Sequence, residues 1–253
     1  MGNDNNSPLG VGGIRAMILA AGLGTRLKPF TDNHPKALAI VNGKSLLQRN
    51  IEYLQQFNIR EVIVNVHHFA DQIIDTIKKN KGWGSEISIS DETDAVLETG
   101  GGLQKAAWFF NDDFVLMNVD ILTDLDLQAM IDQHKKNNAL ATLAVTERNT
   151  SRYFLFNQQQ QLCGWRNIKT GEEKPAPLSF GEGSGVRPKA FSGIHVINPK
   201  IFSLIQQEGK FSMVDVYLSL CAQHSIQYFD HTQSKFIDVG KPESIFTAET
   251  MFK

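Results

Sequence analysis

The sequence predicts an α/β fold, a mostly parallel sheet flanked by helices with a small β insertion or flap. Three observations predict it. Apolar runs of strand length alternate with segments of helical period from Ala16 to Val145. The first run ends in small residues and glycines, as strands of open α/β sheets do where they meet a ligand loop. Beyond Val145 the alternation gives way to short strand-like pieces and a Gly/Pro-rich stretch, with no second apolar core.

Each element has a local reason. Ala16-Met17-Ile18-Leu19 is a short apolar strand. Ser45 caps a helix whose Leu47, Ile51 and Leu54 share one face. Residues 61–66 are a β-branched strand, and Asp71 opens a helix carrying Ile73, Ile74 and Ile77. Ile87 and Ile89 alternate as a strand, and 101–110 reads as a helix. Phe114-Val115-Leu116-Met117 is a strand buried on both faces. A helix over 126–136 and a strand over 139–145 complete a βαβαβαβαβ series, a Rossmann-like order. The insertion spans about 148–190 and includes the turn Thr170-Gly171 and the run from Pro175 to Pro188. Regular structure resumes with a strand over 191–197, helices from Pro199, over 213–222 and from Pro242, and a strand over 226–229.

At 253 residues the chain suits a single domain over 14–253, preceded by a polar tail over 1–13 that reads as disordered. Lys plus Arg is 25 and Asp plus Glu is 27, a net charge of −2, so a basic nucleic-acid binder is excluded. An apolar fraction of 42% excludes disorder for the bulk of the chain. No run approaches the roughly 18 apolar residues of a membrane span. The tail lacks the apolar segment of a secretory signal, and Asn6 breaks the myristoylation pattern. Cys163 and Cys221 match no zinc or redox spacing, so free thiols and a reducing, cytoplasmic compartment are expected.

The chemistry gathers at strand ends. Leu19-Ala20-Ala21-Gly22-Leu23-Gly24-Thr25-Arg26-Leu27 offers small residues that let backbone N–H groups reach phosphate oxygens. Arg26 adds a guanidinium fork suited to a polyphosphate, and Lys36 follows ten residues on. The loop lacks the third glycine of a dinucleotide fingerprint, and Gly43-Lys44-Ser45 lacks the leading glycine of a Walker loop. Asp120 follows the strand 114–117 and Asp238 follows Phe236-Ile237. Two such carboxylates suit a hard cation if their strands converge. Adjacent positions on a strand face opposite ways, so His67 and His68 do not chelate together.

Leu19-Ala20-Ala21-Gly22-x-Gly24-Thr25-Arg26-Leu27-x-Pro29-x-Thr31-x-x-x-Pro35-Lys36 resembles the signature of the sugar-1-phosphate nucleotidyltransferases. The resemblance continues through Leu97-Glu98-Thr99-Gly100-Gly101-Gly102, Asn118-Val119-Asp120, Phe191-Ser192-Gly193-Ile194 and Phe236-Ile237-Asp238-Val239-Gly240. It implies the nucleotide-diphospho-sugar transferase fold, a nucleoside triphosphate and a sugar 1-phosphate as substrates, and Mg²⁺ on Asp120 and Asp238. It implies catalytic roles for Arg26, Lys36 and Asp120. Nucleotide contacts are implied at Leu19, Ala20, Ala21, Gly22, Gly24, Thr25, Thr99, Gly100 and Gly101. Sugar contacts are implied at Asn118, Ser192 and Gly193. Lys189, or Glu173 and Lys174 in a Glu-Lys-Pro segment, are rivals for the sugar phosphate. The Glu-Thr-Gly-Gly-Gly block is most similar to the N-acetylmuramate-1-phosphate uridylyltransferase branch, with mannose-1-phosphate guanylyltransferases as close neighbours. A phosphocholine cytidylyltransferase-like enzyme and a catalytically silent nucleotide-sugar-binding module are the further alternatives. The base and sugar expectations, UTP and N-acetylmuramate 1-phosphate, and the pathway of cell-wall recycling follow from the branch alone. Two departures from the family pattern, Val119 for glycine and Ala37 for proline, bear on the sugar pocket and on the segment holding Lys36.

Overall fold

The computed structural model describes residues 13–175 and 185–253. The tail over 1–12 and the Gly/Pro-rich residues 176–184 lie outside the described residues. The first half of the chain runs β1 (Arg15–Leu19), a hairpin of β2 (Ile40–Val41) and β3 (Lys44–Ser45), α1 (Leu46–Gln56), β4 (Glu61–Val66), α2 (Ala70–Lys79), β5 (Glu86–Asp91), α3 (Glu98–Lys105) and β6 (Phe114–Asn118). There follow β7 (Ile121–Thr123), α4 (Leu127–Lys136), β8 (Ala141–Thr146), β9 (Arg152–Phe156), β10 (Leu162–Asn167), β11 (Glu172–Pro175) and β12 (Arg187–Ile197). The chain closes through α5 (Met213–Leu220), β13 (Ile226–Asp230), β14 (Phe236–Asp238) and α6 (Pro242–Met251).

Local chemistry sets the helix starts. Ser45 Oγ accepts from Gln48 N at 3.1 Å and caps α1, whose Leu47, Ile51 and Leu54 are fully buried. Asp126 Oδ1 caps α4 through Ala129 N at 2.9 Å. Two expected helices differ. The segment after Pro199 is only a 3-10 turn, Pro199–Ser203, and α3 starts three residues early, so the glycine block lies inside it.

Strands β5, β4, β1 and β6 lie side by side and parallel. Alternation along β1 sends Ala16 and Ile18 to one core cluster and Met17 to the other, so helices cover both faces. The chain leaves β1 toward β4 and later returns to its other side as β6. That reversal opens a crevice at the carboxyl ends of β1 and β6. Strand β12 is antiparallel to β6 and β8, and its first residues pair with β9. Through β9, the strands β10 and β11 extend the same sheet. A two-stranded pair, β7 with β14, sets Asp238 opposite Ile121. A third apolar cluster joins Leu27, Val41 and Leu46 to Val239 and Ala248 of the C-terminal segment.

Candidate active site

A cleft of about 330 Å³ opens at the carboxyl ends of β1 and β6. Its walls are Leu19, Ala20, Ala21, Gly22, Gly24, Thr25, Arg26, Lys36, Asn65, Glu92, Val96, Glu98, Thr99, Asn118, Val119, Asp120 and Gly240. Most of the residues expected to meet a nucleotide are here, from the end of β1, the loop after it and the start of α3.

The loop after β1 is held open by its own contacts. Gly24 has φ +63°, and a Cβ there would lie 2.9 Å from Thr31 Cγ2, so two constraints favour glycine. Leu27 N and Thr31 Oγ1 both donate to Gly24 O, at 2.8 and 3.0 Å. Leu27 is buried and anchors the loop, while the Arg26 side chain stays 60% exposed.

The acidic pair converges. Asp120 leaves β6 and Asp238 ends β14, and Val239 N donates to Asp120 O at 2.8 Å. Lys36 Nζ donates to Asp120 Oδ2, with both side chains largely buried. Arg26 Nη2 lies 3.9 Å from Asp238 Oδ2. Burial pushes the Asp238 carboxyl up, the Asp120 charge pushes it further, and Lys36 and Arg26 oppose both. A Cβ on Gly240 would lie 2.6 Å from Asp238 Oδ1 and 2.9 Å from Arg26 Nη2. Ala37, the departure beside Lys36, is fully buried, so its segment is fixed by packing.

On the other side, Asn118 ends β6 in the cleft wall. Gly193, at φ +75°, lies over it, and a Cβ there would meet Asn118 Nδ2 at 2.7 Å. Val119 is 4% exposed and also lines the cleft.

Several expected contacts sit elsewhere. Gly100 and Gly101 do not line the cleft. Their N–H groups both donate to Phe211 O, at 2.9 and 3.3 Å. A Cβ on Gly100 would lie 2.4 Å from the Phe211 ring, and one on Gly101 would lie 2.2 Å from Gly209 O. These glycines let α3 pack against the segment 209–211. Thr99 does line the cleft, and its Oγ1 accepts from Met213 N at 3.0 Å. Ser192 is 1% exposed, with its Oγ 2.8 Å from His231 Nε2, so it faces the interior. Lys189 is buried between Glu147 and Asp230, at 2.8 and 2.7 Å, which hold its ammonium and raise its affinity for the proton against burial. Lys174 pairs with Asp215 at 2.8 Å and Glu173 with Arg166 at 2.5 Å, on the edge strand β11.

The cleft also holds residues that the sequence did not single out. Asn65 Oδ1 accepts from Ala20 N at 2.7 Å and from Ala21 N at 3.3 Å, and its Nδ2 donates to Glu92 Oε1 at 2.8 Å. Burial raises the Glu92 carboxyl against that bond. Glu98 begins α3 with φ +60° and pairs with Lys210 at 3.6 Å. A polar residue amid the apolar run of β4, and an acid straight after β5, were the available signals. The two cysteines are free thiols, and among the described residues no helix is long and apolar enough to cross a membrane.

A glycine-bearing loop, two cations and a carboxylate at the carboxyl ends of the parallel strands β1 and β6, with a second carboxylate brought beside them by β14, define the class, an α/β protein of the nucleotide-binding kind. The chain belongs to the nucleotidyl transferase family, whose model matches residues 15–253. It is 29% identical over 244 residues to a mannose-1-phosphate guanyltransferase of Yarrowia lipolytica, covering 94% of this chain and 64% of that one. It is 30% identical over 240 residues to an N-acetylmuramate alpha-1-phosphate uridylyltransferase of Caulobacter vibrioides, covering 92% of this chain and 95% of that one. A crystal structure of HddC from Yersinia pseudotuberculosis superposes with a TM-score of 0.75 at 25% identity, over 95% of this chain and all of that one.

Proposed function

We propose that the chain transfers a nucleoside monophosphate from UTP to N-acetylmuramate 1-phosphate, releasing pyrophosphate. One observation carries the reaction type: Arg26, Lys36 and Asp120 line one cleft and Asp238 adjoins them through Arg26 and Asp120, although the four span most of the sequence. The choice of substrates rests on the Caulobacter relative, which this chain matches over nearly its full length. The Yarrowia relative supports a second reading, GTP with mannose 1-phosphate.

An oxygen of the sugar phosphate attacks the α-phosphorus and forms the new P–O bond. The α–β P–O bond breaks on the opposite side, and pyrophosphate leaves with the electron pair. Such chemistry asks the protein for alignment and charge neutralisation. The loop after β1 borders the triphosphate. Arg26, exposed and tethered only loosely to Asp238, neutralises charge growing on the leaving group. Lys36 meets the α-phosphate from beside Asp120. Asn118 and Gly193 shape the sugar side. Asp120 and Asp238 would hold a magnesium ion, because the Asp120 charge raises the cost of charging Asp238, and such an ion would supply Lewis-acid charge neutralisation. The two free thiols fit a reducing, cytoplasmic compartment, and the place in cell-wall recycling follows from the resemblance to the N-acetylmuramate branch alone.

The test is pyrophosphate release with Mg²⁺ across a grid of nucleoside triphosphates and sugar 1-phosphates, with phosphocholine as control. Release that needs UTP and N-acetylmuramate 1-phosphate is expected. Release with GTP and mannose 1-phosphate overturns the substrates, and silence across the grid overturns the reaction.

A further inference from the structure

Two amides expected to cradle phosphate are already engaged. Ala20 N and Ala21 N both donate to Asn65 Oδ1, at 2.7 and 3.3 Å. Asn65 stands opposite Leu19 in the parallel register of β1 and β4, so its side chain reaches the first turn of the loop. It is 2% exposed, and its amide orientation is fixed from behind by Glu92 Oε1, which accepts from Nδ2 at 2.8 Å. Glu92 is 1% exposed, and its Oε2 is buried without a hydrogen-bond partner among the described residues. Burying this carboxyl costs stability, which the Asn65 bond and the Leu97 backbone N–H offset only in part. The glycine block of α3 makes room for it. A Cβ on Gly102 would lie 2.6 Å from Glu92 Oε1 and 3.0 Å from Asn65 Nδ2.

We propose that Asn65, oriented by Glu92, is the positioning residue of the phosphate loop, and that the triphosphate is met by the loop beyond Ala21. The proposal rests on the reading that this cleft takes a nucleoside triphosphate. Asn65 presets the loop before the ligand arrives, so less ordering accompanies binding.

The pair permits a swap of donor and acceptor. Asn65→Asp keeps an acceptor for both amides but sets a carboxylate against Glu92. Glu92→Gln in that background returns a donor, and the bond re-forms with its direction reversed. Dissociation constants of the four ribonucleoside triphosphates are measured by equilibrium dialysis for wild type and variants, beside kcat and KM where turnover is found. Circular dichroism checks folding. Asn65→Asp is expected to weaken binding of the preferred triphosphate at least about tenfold at pH 8, the loss expected for a bond involving a charged group. The deficit shrinks as pH falls and the two carboxyls come to share a proton. The double variant is expected to recover to within about threefold of wild type. Equal binding by wild type and Asn65→Asp overturns the proposal while leaving the reaction standing. So does a double variant no better than the single one. A wild-type chain that binds no triphosphate overturns both.

Discussion

His231 gives the most quantitative handle on the fold. It is 4% exposed between β13 and β14, with Nε2 on Ser192 Oγ and Nδ1 buried without a partner among the described residues. Burial lowers its value from 6.5 to about 4, Asp230 and Asp124 push upward, and the Arg148 cation pushes downward. As pH falls, the unfolded chain therefore takes up the proton first, and stability is lost from about pH 6.5 down to about pH 4. At about 1.36 kcal/mol per unit the full loss is about 3 kcal/mol, of which about 2 kcal/mol is lost by pH 5. His195, buried against Tyr217 and lowered to about 3, adds a loss of its own that a change at 231 leaves in place. Urea unfolding of wild type and His231→Gln at pH 7.5, 6 and 5 isolates the residue. The stability difference between the two proteins is expected to move by about 2 kcal/mol in favour of the variant between pH 7.5 and 5. Two stability curves that stay parallel across that range would refute the burial argument.

Three further outcomes are expected. Arg26→Ala and Asp120→Asn each lower turnover by at least about 10²-fold in steady-state pyrophosphate release while circular dichroism stays native. Gly101→Ala, whose Cβ would sit 2.2 Å from Gly209 O, costs about 1–3 kcal/mol in ligand-free thermal unfolding. An unchanged Tm would return that glycine to a ligand-contact role. Lys189→Met leaves Glu147 and Asp230 without their shared cation and costs about 1–3 kcal/mol in urea, with KM for the sugar 1-phosphate unchanged.

What the sequence made legible was local. Ser45 with Leu47, Ile51 and Leu54 is a cap and a stripe within one helix, and each part is visible in a ten-residue window. Asp120 and Asp238 were legible as separate strand-end acids, but their meeting depends on β7 pairing with β14 across more than a hundred residues. The glycines of α3 were visible as an anomaly while their cause was not, because Gly209 and Phe211 lie far along the chain. Lys189 failed in the same way. Near a strand glycine, a lysine reads as a ligand for phosphate until Glu147 and Asp230 are seen to close around it. Asn65 was overlooked because β4 otherwise reads as a plain apolar strand.

The third apolar cluster carries a consequence for biogenesis. Leu27, which anchors the loop bearing Arg26, packs in one group with Val239 and Ala248. The loop's footing and its partner carboxylate Asp238 are therefore both delivered by a segment far along the chain from the loop itself. A growing chain holds Arg26 long before it holds Asp238, whereas the Asp120 that meets Lys36 comes far sooner. The acidic pair is complete only once β14 has been made and has paired with β7, whereas nearly all of the cleft wall comes from the first half of the chain.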